Sequence, residues 1–199
     1  MDEQSKLSVG QHVIRAVRAD EWEQVKELRL AALRDAAAPI AFLDTIELAE
    51  VRPDSFWQER TANAATGRAV RQFVAVGADG VWEGSVAVLV EEHGTKNFLD
   101  REIERPQGHI VGVFVREGRR GAGLADGLFR AGLDWAWSLE DPALERVRLY
   151  VHERNERAQA FYRRMGFRDS GVRVPMEGDP SAHELEYVLA RPGGIRAGT

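Results

Sequence analysis

Residues 108–137, GHIVGVFVREGRRGAGLADGLFRAGLDWAW, run from an apolar stretch through a basic, glycine-rich corner into an amphipathic segment. GHIVGVFV predicts a buried strand. GLADGLFRAGLDWAW predicts a helix with Leu124, Leu128, Ala131 and Trp135 on one face. ERVRLYV at 145–151 predicts a further strand, and a strand, helix, strand order favours parallel pairing through a right-handed crossover. The fold class this implies is α/β.

Working outward, HVIRAV (12–17) predicts a strand after a loose segment 1–10. Asp20 with Glu23 three residues on forms the pattern of a capping box, which starts a helix through Ala36 with Trp22, Val25, Leu28, Ala32 and Leu33 buried. Residues 37–53 have no periodicity. Asp54 after Pro53 opens a second helix to Ala65, carrying Phe56, Trp57 and Arg60. AVRQFVAV and VWEGSVAVLVEE flank the turn cluster GADG and predict an antiparallel hairpin. Residues 93–107 form a long connection, which compact domains keep for function or leave mobile. NERAQAFYRRM predicts a helix capped by a left-handed Gly166, and FRDSGVRV and HELEYVLA predict the last strands. HELEYVLA could exchange or pair across a homodimer. The expected organisation is one domain at 11–191, a twisted mixed sheet with about four flanking helices, followed by a fraying tail at 192–199.

The 199 residues, 44% hydrophobic, suffice for one core, and a net charge of −5 with no basic stripe gives no reason to expect nucleic acid. No stretch approaches the roughly 18 apolar residues of a membrane span, so a cytoplasmic location is the expectation. Cysteine is absent, which removes disulfides, thiolate metal sites and cysteine nucleophiles. The histidines at 12, 93, 109, 152 and 183 have no paired spacing, and Gly84-Ser85 lacks a nucleophile elbow. Neither a metal nor an acyl-enzyme is expected.

Three phosphate-binding devices compete for GRRGAGLADG. A P-loop needs a Gly-Lys-Ser/Thr ending that is absent here. The dinucleotide fingerprint aligns Gly121 and Gly123 but places Asp126 at its third glycine. The third device reads Arg120, two residues, Gly123, one residue, Ala125. Glycines 121 and 123 let the main chain turn tightly beside a diphosphate, and the following helix presents unpaired N–H groups and its positive dipole end. Arg119 or Arg120 can add a charge-assisted contact. A plain turn with solvated arginines is the alternative.

This Arg-x-x-Gly-x-Ala loop between strand and helix resembles the acyl-CoA pyrophosphate loop of the GCN5-related N-acetyltransferase family. Asn155, Ala158, Phe161, Tyr162, Gly166 and Phe167 resemble the same family's closing segment. The resemblance implies a GNAT-like fold and an acetyl-CoA-dependent transfer to a primary amine, of a small molecule or a protein, by direct attack in a ternary complex. It places the cofactor on Val113, Phe114, Val115, Arg119, Arg120, Gly121, Ala122, Gly123, Leu124, Ala125, Asn155 and Tyr162. Tyr162 would be the general acid toward the CoA thiolate. Asn155 also suits a helix N-cap, and the two roles can coexist. Phe161 is expected on the apolar face, leaving Tyr162 near a wet cleft. For the base, His109 starts the central strand where relatives carry a carboxylate; Glu91, Glu92, Glu104 and a water chain are alternatives. A non-catalytic acyl-CoA-binding sensor is the rival to an enzyme.

Overall fold

Near-continuous runs of buried residues build the middle of the sheet, and a computed structural model describes residues 7–176 and 179–193. Its strands are β1 (Leu7–Val9), β2 (His12–Ala16), β3 (Val70–Val76), β4 (Trp82–Glu91), β5 (Gln107–Val115), β6 (Arg146–His152), β7 (Arg168–Met176) and β8 (Asp179–Ala190). They follow the order β1-β2-β3-β4-β5-β6-β8-β7. Helices are α1 (Trp22–Leu33), α2 (Ile46–Glu50), α3 (Asp54–Thr66), α4 (Leu124–Ser138) and α5 (Glu156–Arg164). The α/β class and the mixed sheet are as the sequence implies. β5 pairs parallel with β6, as the crossover requires, while β3 pairs antiparallel with β4. The expected tail lies beyond residue 193, outside the described residues, except for its first two positions.

The chain divides into two compact units, one up to Leu89 together with Val111–Leu133, the other Val90–Ile110 together with Asp134 onward. In the first, α1 buries Val25, Leu28, Ala32 and Leu33 in one cluster with Trp57 of α3, Val74 of β3, Trp82 of β4 and Phe114 of β5. The GADG turn closes with Gly77 N–H on Val81 O at 2.9 Å and Gly80 at φ +81°. Glycines in this unit mark close approaches. A Cβ on Gly127 would lie 2.3 Å from Ile14 Cδ1 and 2.7 Å from Val9 Cγ2, so α4 rests directly on β1 and β2.

In the second unit, β8 pairs with β6 along Arg146–His152 and with β7 on its other side. α5 ends in a Schellman motif, with Phe167 N–H on Tyr162 O at 3.0 Å, Gly166 N–H on Arg163 O at 3.0 Å, and Gly166 at φ +92°. That places Phe167, 1% exposed, under the helix it terminates.

Four expectations are corrected. Leu7–Val9 are not loose but pair with β2. The Asp20 capping box does not form. Glu21 takes the N-cap position, and its carboxylate is bonded to Arg18 N–H at 2.8 Å and to Arg15 at 2.6 and 2.8 Å. Within 37–53, Thr45 caps α2, a helix too short to show periodicity. HELEYVLA is flanked on both sides, so β7 and not β8 is the strand at the end of the order.

Gly84 supplies a test of this packing. A Cβ there would stand 2.8 Å from the Phe114 carbonyl oxygen and 3.1 Å from Leu128 Cδ1. Gly84→Ala is therefore expected to destabilise the protein by about 1–3 kcal/mol, read from the urea midpoint.

Candidate active site

After Val115 the chain leaves β5 through a 3-10 turn (Glu117–Arg119) and passes Gly121 at φ +84° and Gly123 at φ +79° into α4. Left-handed φ at both positions is what glycine tolerates and other residues resist. Nothing lies within 4 Å of a Cβ built on Gly121, and Val9 Cγ1 is 3.7 Å from one on Gly123, so the glycines are required by conformation rather than by crowding. The Gly127 N–H reaches Gly123 O at 3.1 Å. The N–H groups of Leu124 and Ala125, in the first turn of α4, have no acceptor within the helix.

The arginines of this corner are held by carboxylates. Arg116 donates to Glu27 at 2.7 and 2.8 Å and to Trp82 O at 2.8 Å. Arg119 Nε donates to Glu83 at 2.8 Å, and His12 Nε2 meets the other oxygen of the same buried Glu83 at 2.6 Å. Arg120 donates to Val115 O at 3.0 Å and to Asp35. The expected contact of Arg119 or Arg120 with an anion thus competes with a partner already in place. Arg119, with its side chain 51% exposed, is the freer of the two.

Inside β5, Gly112 adopts φ +64°, a local break in the strand. Pairing of β5 with β6 runs from Gln107↔Arg146 to His109↔Arg148. From Val111 onward, with Val113, Phe114 and Val115, β5 belongs to the first unit.

The second unit gathers the candidate base and the candidate acid. His109 is 5% exposed, and its Nδ1 lies 3.2 Å from Glu91 Oε1. Gln107 Nε2 donates to Glu91 at 2.7 Å, as does Arg148 Nη2 at 2.7 Å. Arg148 also bonds Tyr150 Oη at 2.8 Å and Glu186 at 3.2 Å. Burial alone would raise the Glu91 pKa, but the hydrogen bonds and charges of His109 and Arg148 bring it down to about 2. An ionised carboxylate only accepts. In neutral His109 the hydrogen therefore sits on Nδ1, leaving the lone pair on Nε2. Phe98, from the long connection, stacks on the His109 ring at 5.6 Å, and Tyr150 meets it edge-on at 5.6 Å.

At α5, Asn155 Oδ1 accepts from Ala158 N–H at 3.2 Å, so the residue caps the helix. Tyr162 and Phe161 are placed opposite to expectation. Tyr162 is 7% exposed against Phe167 and Tyr187, while Phe161 is half-buried and carries Arg164 over its face. The buried stripe of α5 is set by Gln159 and Tyr162, three apart, which turns Phe161 outward. Burial pushes the Tyr162 hydroxyl pKa upward.

Comparison with known proteins bears on this arrangement. The model of the acetyltransferase (GNAT) family matches residues 22–167. The chain belongs to the acetyltransferase (GNAT) family. Among solved structures it resembles ribosomal-protein-S5-alanine acetyltransferase from Vibrio fischeri (14% identity, 96% of this chain and 100% of that one, TM-score 0.71). It also resembles Arabidopsis thaliana NAA60 in complex with acetyl-CoA (20%, 92% and 99%, TM-score 0.64). A third is Vibrio cholerae spermidine N-acetyltransferase in complex with CoA and spermine (17%, 90% and 95%, TM-score 0.62). No curated protein sequence matches.

Within this GNAT chain the structure brings His109 together with Glu91, one of the alternative bases. Among the described residues, Glu92 and Glu104 form no side-chain hydrogen bond or ion pair with that cluster. Phe98, Arg148 and Tyr150 join it without a motif to announce them, although RVRLYVH alternates polar and apolar residues and so marks Arg148 and Tyr150 as sharing one face. Among the described residues no three His, Asp or Glu side chains could hold a metal ion, and no helix is long and apolar enough to cross a membrane.

The lowered pKa of Glu91 has a sign. Its contribution to stability is complete above the ordinary carboxylate value of 4.5 and is lost as pH falls toward about 2. Glu91→Gln is expected to cost roughly 3 kcal/mol at neutral pH, with the difference from the parent shrinking between pH about 5 and 2 in urea titrations.

Proposed function

We propose that this GNAT-family protein transfers the acetyl group of acetyl-CoA to a primary amine by direct attack. The observation that carries the proposal is the corner at Gly121 and Gly123, where two left-handed glycines lead into the N-terminus of α4. A diphosphate suits main-chain N–H groups at a helix start, where the dipole adds to the attraction. The open space around a Cβ on Gly121 leaves room for such a group.

The pantetheine arm is assigned to main-chain groups of Val113 and Val115, and Phe114, Ala122, Leu124, Ala125, Arg119 and Asn155 are assigned to the cofactor with them. Arg120 supports the loop through Val115 O and Asp35. In the reaction, the amine nitrogen bonds to the thioester carbon as the C–S bond breaks, and the electron pair leaves on sulfur. The amine's excess proton goes to the lone pair of His109 Nε2; Glu91 holds Nδ1–H, which fixes that tautomer, and its negative charge stabilises the imidazolium that forms. Tyr162 is the group assigned to the leaving sulfur. A thiol near pKa 8.5 and a phenol at or above about 10 make complete proton transfer uphill, so its service is a hydrogen bond that strengthens as charge develops. Named relatives acetylate spermidine or ribosomal protein S5 alanine. Both leave the acceptor here as an amine of a small molecule or a protein.

Thiol release from acetyl-CoA across an amine panel is the test. Tyr162→Phe and His109→Gln should each lower kcat by about a hundredfold. Gly123→Val should abolish the rise in melting temperature that CoA produces. CoA binding without thiol release from any amine would favour a sensor instead, and a melting temperature indifferent to CoA would defeat both readings.

A further inference from the structure

Three helices of the first unit converge on one carboxylate. Arg29 comes from α1, Asp44 stands just ahead of α2, Arg52 follows α2, and Arg60 lies on α3. Arg52 grips Asp44 with both terminal nitrogens, at 2.8 and 2.9 Å, and Arg29 Nη2 reaches the same side chain at 3.2 Å. Arg60 forms no hydrogen bond or ion pair among the described residues. Three guanidinium groups therefore share one negative charge, and two positive charges are left uncompensated within the pocket.

The surroundings make this more than a patch of solvated arginines. These residues line a pocket of about 350 Å³, within the size range of cavities that hold small ligands. Its apolar walls are Leu43, Leu48, Phe56 and Trp57. Leu43 and Leu48 are 59% and 57% exposed, an unusual pair of bare aliphatic side chains at the mouth of a charged pocket. Arg29 lies over the Phe42 ring at 4.6 Å and Arg52 over Phe56 at 4.8 Å, which fixes both forks in place. Trp57 is buried, with an indole N–H that has no partner among the described residues.

Electrostatics agree with the geometry. Arg60 is open to solvent, yet the concave surround lowers its pKa by desolvation, with Arg29 and Arg52 pushing the same way and Asp44 opposing. The pKa of Arg29 is lowered by burial and, to a smaller extent, by Arg52, against the opposing pull of Asp44. An anion entering the pocket would relieve that repulsion. A fork of guanidinium donors suits a carboxylate, and the apolar walls favour one carried on an apolar body over a bare inorganic ion.

We infer that this pocket binds a small organic carboxylate, with its charge at Arg60 and Arg29 and its apolar part against Leu43, Leu48 and Phe56. The binding is measured without CoA, so its outcome does not depend on the proposed acetyl transfer.

The experiment is isothermal titration of the whole protein with 3-phenylpropionate, its neutral amide and inorganic phosphate. The acid should bind at least about tenfold more tightly than the amide and than phosphate, since a charged hydrogen bond is lost with the first and the apolar contact with the second. Arg60→Gln, which breaks no internal bond, should weaken the acid about tenfold or more while the melting temperature holds. Leu48→Asn, at an exposed wall, should weaken the acid and leave phosphate unchanged. Equal binding of acid and amide, no binding of the acid, phosphate as tight as the acid, or an Arg60→Gln protein with unaltered affinity would each overturn the assignment.

Discussion

Arg120 is held between the Val115 carbonyl oxygen and the Asp35 carboxylate, and that clamp fixes where strand β5 gives way to helix α4. The arginine side chain is 24% exposed and the aspartate 13%, so the pair is well shielded from solvent screening. Arg116 and Arg119 repeat the device on Glu27 and Glu83. Three guanidinium anchors in five residues stiffen a turn whose two glycines would otherwise make it the softest point of the unit. A helix N-terminus fixed in advance loses less freedom when it takes a ligand.

The partners of those anchors explain which features are legible in the sequence. The corner can be read from RRGAGLA because its glycines and the helix start are local. Its carboxylates lie 36 to 89 residues away, on α1, just past α1 and on β4, and nothing in a linear pattern links them. The same limit hides Arg148 as a partner of Glu91, 57 residues apart, although both strands are recognisable. β1 and α2 escape for a different reason. Three and five residues are too few for a period to declare itself, and tertiary contacts such as Val9 against α4 decide their structure. Tyr162 falls on the expected helix but on the opposite side, because aromatic residues at adjacent positions give no phase until Gln159 defines the buried stripe.

Charge in the second unit is organised differently from charge at the corner. Arg148, with a side chain only 4% exposed, joins Glu91 and Glu186 and carries Tyr150 over its guanidinium face at 5.2 Å. Ser170 adds a hydrogen bond to Glu186 at 2.6 Å, so nearly every oxygen of the chain of groups is used. Such networks are costly to desolvate and resist rearrangement once satisfied. Phe98 covers the histidine end of the network, and the long 93–107 connection thereby shields that imidazole from water while Phe98 itself stays 52% exposed.

The position of β7 at the end of the strand order carries a final consequence. An unpaired strand edge is a template for indiscriminate aggregation unless something spoils it. Pro175 has no N–H to offer a newcomer, Gly171 at φ +87° interrupts the pleat, and Arg173 and Asp169 clasp one another across it at 2.8 Å. At the opposite end β1 spans three of the described residues. Among the described residues both margins of the sheet are thus poor seeds for cross-chain polymerisation, a protection written into backbone chemistry and independent of net charge.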